Sequence, residues 1–141
     1  MSHHPGTAMN ANLFVYGTLM STAGHPKGTR LAREGRLIGP ASLQGRLYRI
    51  KWYPGLVETG SVAERVHGEL YQLADPLSSL AWLDAYEGLV PGGLHDNEYA
   101  RIERPVRLDD GSEHTAWVYV YCGSTDPLSH IAGGRWLGAA K

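Results

Sequence analysis

The chain has 141 residues, 43% of them hydrophobic and 19% charged, with a net charge of -1. That is enough for a core of its own, it lacks the basic excess of a nucleic-acid binder, and no window approaches the ~18 apolar residues of a membrane span. One cysteine, Cys122, rules out an internal disulfide, and without a recognisable signal peptide the expected location is the cytoplasm.

The expected organisation is a flexible N-terminal tail over residues 1–11, carrying the His3-His4 pair, and a single domain over 12–141. The first strand ends in Leu13-Phe14-Val15 and runs into Tyr16-Gly17-Thr18-Leu19-Met20. A glycine and a hydroxyl residue at a strand end can turn backbone N–H groups toward an anion or a carbonyl oxygen. Gly24 to Gly28 read as a loop around His25-Pro26, and Thr29 to Glu34 as a short helix. Arg36 to Ile50 read as extended, with a bulge or close backbone approach expected at Gly45 and a turn at Tyr53-Pro54-Gly55.

A strand from Val66 to Leu73 places Val66, Gly68 and Leu70 on one side and His67, Glu69, Tyr71 and Leu73 on the other. Asp75-Pro76 then starts a helix, because an aspartate caps free N–H groups and proline has none to satisfy at the first position. The helix should run to Tyr86 or Glu87 and stop at Gly88. After a glycine-rich loop at Pro91-Gly92-Gly93, strands near Tyr99–Leu108 and Glu113–Cys122 flank Asp109-Asp110-Gly111, a hairpin signal. Gly133-Gly134 reads as a turn that docks Trp136.

At about 100° per residue, with Leu80 as reference, Leu77, Leu83, Asp84 and Glu87 share its arc, whereas Ser79, Trp82 and Tyr86 lie opposite. Glu87 thus faces the apolar side. It could fray into water or pair with an arginine such as Arg101, or it could be a carboxyl whose pKa is raised by burial, suited to proton transfer. Asp84 reads as structural, bonded to backbone or to a tyrosine. The seven histidines lack metal-ligand spacing, so no metal is expected, and Cys122, alternating with Val118 and Val120, reads as a packed small hydrophobe.

Several ordered blocks resemble the gamma-glutamylcyclotransferase-like family, particularly its gamma-glutamylamine cyclotransferase-type branch. They are Tyr16-Gly17-Thr18-Leu19-Met20, Gly45-Arg46-Leu47-Tyr48, Tyr53-Pro54-Gly55-Leu56, Val66 to Tyr71, Leu83-Asp84-Ala85-Tyr86-Glu87-Gly88, Tyr99-Ala100-Arg101 and Ala116 to Tyr119. The resemblance implies an α+β fold, a small mixed, largely antiparallel β-barrel with flanking helices. It also implies conversion of a gamma-glutamyl amine or amino compound to 5-oxoproline and free amine, with no cofactor and with a small molecule as partner. The alternative is a non-catalytic relative that keeps the pocket to bind a metabolite. Carried over, Glu87 is the catalytic acid/base, and Tyr16, Gly17, Thr18 and Leu19 hold the substrate. Tyr121 is the choice for a pocket tyrosine from the late strand, ahead of Tyr119 and Tyr99. Gly24-His25-Pro26-Lys27-Gly28 departs from the family pattern after Met20 and leaves substrate choice open, as is the oligomeric state.

Overall fold

The computed structural model describes residues 9–89 and 98–136. Strands β1 (Asn12–Val15), β2 (Gly35–Gln44), β5 (Arg65–Leu73), β6 (Tyr99–Leu108) and β7 (Glu113–Tyr121) close a barrel in the order β1-β5-β2-β6-β7. All of its neighbours are antiparallel except the closing pair, where Leu13 of β1 meets Trp117 of β7 in parallel. A second sheet joins β3 (Arg46–Arg49), β4 (Pro54–Val57) and the short β8 (His130–Ile131). The expected α+β barrel with flanking helices is the observed fold.

Alternation along the strands builds two cores. Phe14, Val66, Leu70, Val118 and Val120 point into the barrel, whereas Leu13, Val15, Tyr71, Leu73 and Tyr119 point out beneath the helices α1 (Pro26–Glu34) and α2 (Pro76–Tyr86). Both faces of β1, β5 and β7 are therefore buried at these positions, and these strands do not read as simply apolar-in, polar-out.

Helix α1 starts three residues earlier than expected. His25 Nδ1 accepts the Lys27 N–H at 3.0 Å, and Pro26 takes the first helical position. The bulge lies between Leu37 and Gly39 rather than at Gly45. At Gly45 the chain instead passes from β2 to β3, so close that a Cβ there would stand 3.2 Å from the Val57 carbonyl oxygen. Tyr53-Pro54-Gly55 is not a turn: Lys51–Tyr53 bend the chain, and Pro54 opens β4.

Asp75 caps α2 through Ser78 N, and Gly88 ends it at φ +81°. The buried arc is rotated from the expected one, because Ser79, Leu80 and Leu83 are buried while Leu77 is 73% exposed. The cause is Glu34, at the end of α1. Its Oε1 accepts from Ser79 Oγ and Trp82 Nε1, each at 2.7 Å, and Arg30 bonds its Oε2 at 2.8 Å. Those donors hold the Glu34 carboxyl down to about 2 and draw the Ser79–Trp82 side of α2 inward against α1.

The expected hairpin forms around Gly111, at φ +89°. Gly134, at φ +68°, accepts from His67 N at 2.8 Å and seats Trp136 in the barrel core, as the Gly133-Gly134 turn predicts. Cys122 lies just past the end of β7 and is exposed, which corrects its reading as a packed hydrophobe. Residues 1–8 of the expected tail, and the loop at Pro91-Gly92-Gly93, lie outside the described residues. Asn10 and Ala11 are fixed to the barrel, by Trp117 Nε1 to Asn10 O at 2.9 Å and Leu73 N to Ala11 O at 2.7 Å.

Candidate active site

A cavity of about 410 Å³ opens at one end of the barrel. Its wall brings together the loop after β1, the C-terminal turn of α2, the first residues of β6 and the bend before β4. Tyr16, Gly17, Thr18, Leu19 and Glu87, the loop and the helix-end carboxyl singled out from sequence, line this one space.

The loop is shaped by two glycines. Gly17 lies against Pro54, where a Cβ would come within 2.7 Å of the proline ring, and Gly28 of α1 lies under the Leu19 carbonyl. The start of helix α1, whose first three residues belong to the Gly24–Gly28 segment that departs from the family pattern, therefore braces the loop from below. Met20 N closes a turn onto Gly17 O at 3.1 Å, and the N–H groups of Gly17, Thr18 and Leu19 have no acceptor among the described residues. Three successive free amides at a cavity wall can hold a carboxylate or a polarised carbonyl oxygen. Thr18 Oγ1 is 2.8 Å from the Tyr86 hydroxyl and ties the loop to α2.

Tyr16 contributes its ring rather than its hydroxyl. That hydroxyl donates to Tyr119 O at 2.6 Å and accepts from Leu56 N at 3.1 Å, joining the barrel to the second sheet. Burial and the nearby Glu87 carboxyl push its pKa well above the ordinary tyrosine range, so it stays a neutral donor. Tyr16→Phe is expected to lower stability by about 1–3 kcal/mol, because two buried backbone groups lose a partner. A urea midpoint shifted at constant slope is the measurement; an unchanged midpoint would show that the bridge carries no net stability.

Asp84 has the structural part expected of it. Its carboxylate takes a two-pronged bond from Arg101, at 2.7 and 3.0 Å, and a third from the Tyr119 hydroxyl at 2.6 Å. Arg101, considered as a partner for Glu87, is therefore committed to Asp84, and its guanidinium lies over the Trp117 ring. This anchor pins the last turn of α2 to β6 and β7 and sets Glu87, three residues on, over the cavity. Among the described residues the Glu87 carboxyl has no hydrogen-bond or ion-pair partner. Burial, then repulsion from Asp84, pushes it from 4.5 up to about 8.

Tyr121 does not line the cavity. Its ring meets Tyr99 edge-on with centroids 5.5 Å apart, while Tyr99 and Tyr119, its two alternatives, are on the wall. Tyr99 donates to Pro54 O at 2.7 Å, so its hydroxyl, like that of Tyr119, is spent on the scaffold. Sequence reasoning missed the rim: Lys51, Trp52 and Tyr53 from the bend, Tyr86 from α2, and Glu98 beside β6. The only signal for them was the cluster of aromatics around Tyr53-Pro54. No group of histidine, cysteine and carboxylate side chains suited to a metal ion occurs among the described residues.

The barrel, its loop of open amides and a carboxyl unpaired among the described residues enclose a cavity of small-molecule size. A family model described as "Gamma-glutamyl cyclotransferase, AIG2-like" matches residues 13–138, and the chain belongs to this family. It is 35% identical over 130 residues to the gamma-glutamylcyclotransferase family protein YtfP of Escherichia coli K12, covering 92% of this chain and 98% of YtfP. Among solved structures, YkqA of Bacillus subtilis superposes with a TM-score of 0.67 at 26% identity, over 91% of this chain and 40% of YkqA. A mouse AIG2-like protein superposes at 0.62 and 23% identity, over 84% of this chain and 81% of the mouse chain, which extends the likeness of fold.

Proposed function

We propose that the protein converts a gamma-glutamyl amine or gamma-glutamyl amino compound to 5-oxoproline and free amine. The observation that carries this reading is Glu87, a carboxyl raised to about 8 that shares its cavity with the open amides of Gly17, Thr18 and Leu19. The substrate supplies its own nucleophile: its alpha-nitrogen bonds to the gamma-carbonyl carbon, the amide C–N bond breaks, and a five-membered lactam closes. Such a reaction asks the protein for orientation, an anion-holding wall and one proton carrier.

In this scheme the loop amides grip the alpha-carboxylate or the carbonyl oxygen. Glu87 accepts a proton from the alpha-ammonium and returns one to the departing nitrogen. The test is 5-oxoproline release from a panel of gamma-glutamyl amino acids and gamma-glutamyl-lysine; free glutamate instead would indicate hydrolysis, and no product from any substrate would favour a metabolite-binding relative. Because Glu87 must be ionised to accept the proton, kcat/KM should climb with pH along a limb centred near 8. A profile flat from about pH 6 to 9 would remove Glu87 from that part.

A further inference from the structure

The rim of the cavity carries a carboxylate that the proposed reaction does not use. Glu98 lies at the wall just before β6, half-buried, and its backbone carbonyl accepts from Cys122 N at 2.7 Å. One carboxylate oxygen accepts from the Tyr53 hydroxyl at 3.1 Å, and among the described residues Glu98 has no cationic partner. Burial, then that hydrogen bond, pushes the Tyr53 phenol up to about 12, so it remains a donor to Glu98.

Around this charge the rim is aromatic. Trp52 is 54% exposed, meets Tyr53 edge-on at 5.1 Å and lies parallel to His25, and His25 in turn meets Tyr86. A half-buried carboxylate beside the exposed Trp52 and the half-buried Tyr53 suits an organic ammonium, which gains both an ion pair and the ring quadrupoles. It does not suit an anion, and a purely apolar group would leave the carboxylate covered and unpaired. Lys51 also borders the cavity, but it is exposed, where solvent and salt weaken its charge.

We propose that Glu98, with the faces of Trp52 and Tyr53, forms a subsite for a second ammonium group on the departing amine, so that gamma-glutamyl amides of diamines are the preferred substrates. This rests on the cyclotransferase reading, in which the glutamyl half occupies the loop and Glu87 and the departing amine points to the rim.

Three matched substrates test it: the mono-gamma-glutamyl amide of 1,4-diaminobutane, the gamma-glutamyl amide of butylamine, and that of 4-aminobutanoate. The expected kcat/KM for 5-oxoproline release is at least about tenfold higher for the first than for either of the others. Glu98→Gln, which keeps an acceptor for Tyr53, should bring the first two within about threefold of each other, and Trp52→Leu should narrow the gap in part. Equal rates for the three, a preference for 4-aminobutanoate, or a preference that survives Glu98→Gln would overturn the subsite. Calorimetric binding of 1,4-diaminobutane against butylamine reads the same subsite without turnover. If no amide yields 5-oxoproline, the catalytic reading falls and this binding decides alone: diamine binding lost in Glu98→Gln sustains the subsite, and equal binding of the two amines by the unaltered protein removes it.

Discussion

Replacing Glu87 with glutamine is expected to lower the rate of 5-oxoproline release about 10²- to 10⁴-fold and, at the same time, to stabilise the protein at alkaline pH. The first effect follows from losing the proton carrier while the loop and cavity stay in place. The second follows from the raised pKa. A folded-state value near 8 against an ordinary 4.5 means that between those pH values the native protein retains a proton that the unfolded chain has released. The free energy of unfolding therefore falls as pH rises through this window, and a glutamine, which has no proton to lose, escapes that fall. With a discount for solvent contact through the cavity mouth, the variant should exceed the parent by roughly 2 kcal/mol above pH 8, and the advantage should vanish below about pH 4.5. Thermal melts of both proteins at about pH 5 and pH 8.5 separate the cases. Equal melting temperatures at both would mean that Glu87 titrates like an ordinary surface carboxyl, and a silent variant would then need another explanation.

Stability and proposed activity are opposed at this residue, and the same opposition explains what could be read from the sequence. The extent of α2 follows from local chemistry, Asp75 and Pro76 at one end and Gly88 at the other, whereas the seat of Glu87 over the cavity also needs the distant anchor of Asp84 to Arg101 and Tyr119. Chemistry between neighbours in the chain is visible in the chain. The rotation of the helix departs from its apolar periodicity because Ser79 and Trp82 both bond to Glu34, 45 and 48 residues away. No periodicity carries that information. The expectation of Tyr121 rather than Tyr119 at the cavity fails for a related reason. The two share one face of β7, and which of them meets the cavity is set by the neighbouring strands and the bend before β4, which alternation along β7 does not reveal. Lys51, Trp52 and Glu98 escaped because the rim is assembled from a bend and a strand start that only the closed fold brings together.

The seating of β1 against β5 depends on a residue that the strand alternation places on the barrel-facing side. At Gly68, in β5, a Cβ would overlap the Val15 carbonyl oxygen and stand 3.0 Å from both Phe14 Cζ and Tyr16 Cα. The last residues of β1 thus lie directly on the backbone of β5, and they lead into the Tyr16–Leu19 loop. An alanine here meets backbone, which cannot rotate aside as a side chain can. Gly68→Ala is expected to cost about 3 kcal/mol, or roughly 10 °C in Tm for a chain of this size. The fraction that remains folded at low temperature should also lose turnover, because relief of the clash pushes β1 outward and spreads the three open amides away from Glu87. Gly60→Ala supplies the comparison. No atom lies within 4 Å of its would-be Cβ, so it should be neutral or gain up to about 1 kcal/mol by restricting the unfolded chain. Matching melts for the two variants would show that β1 can yield at Gly68, and the loop could not then owe its position to that crossing.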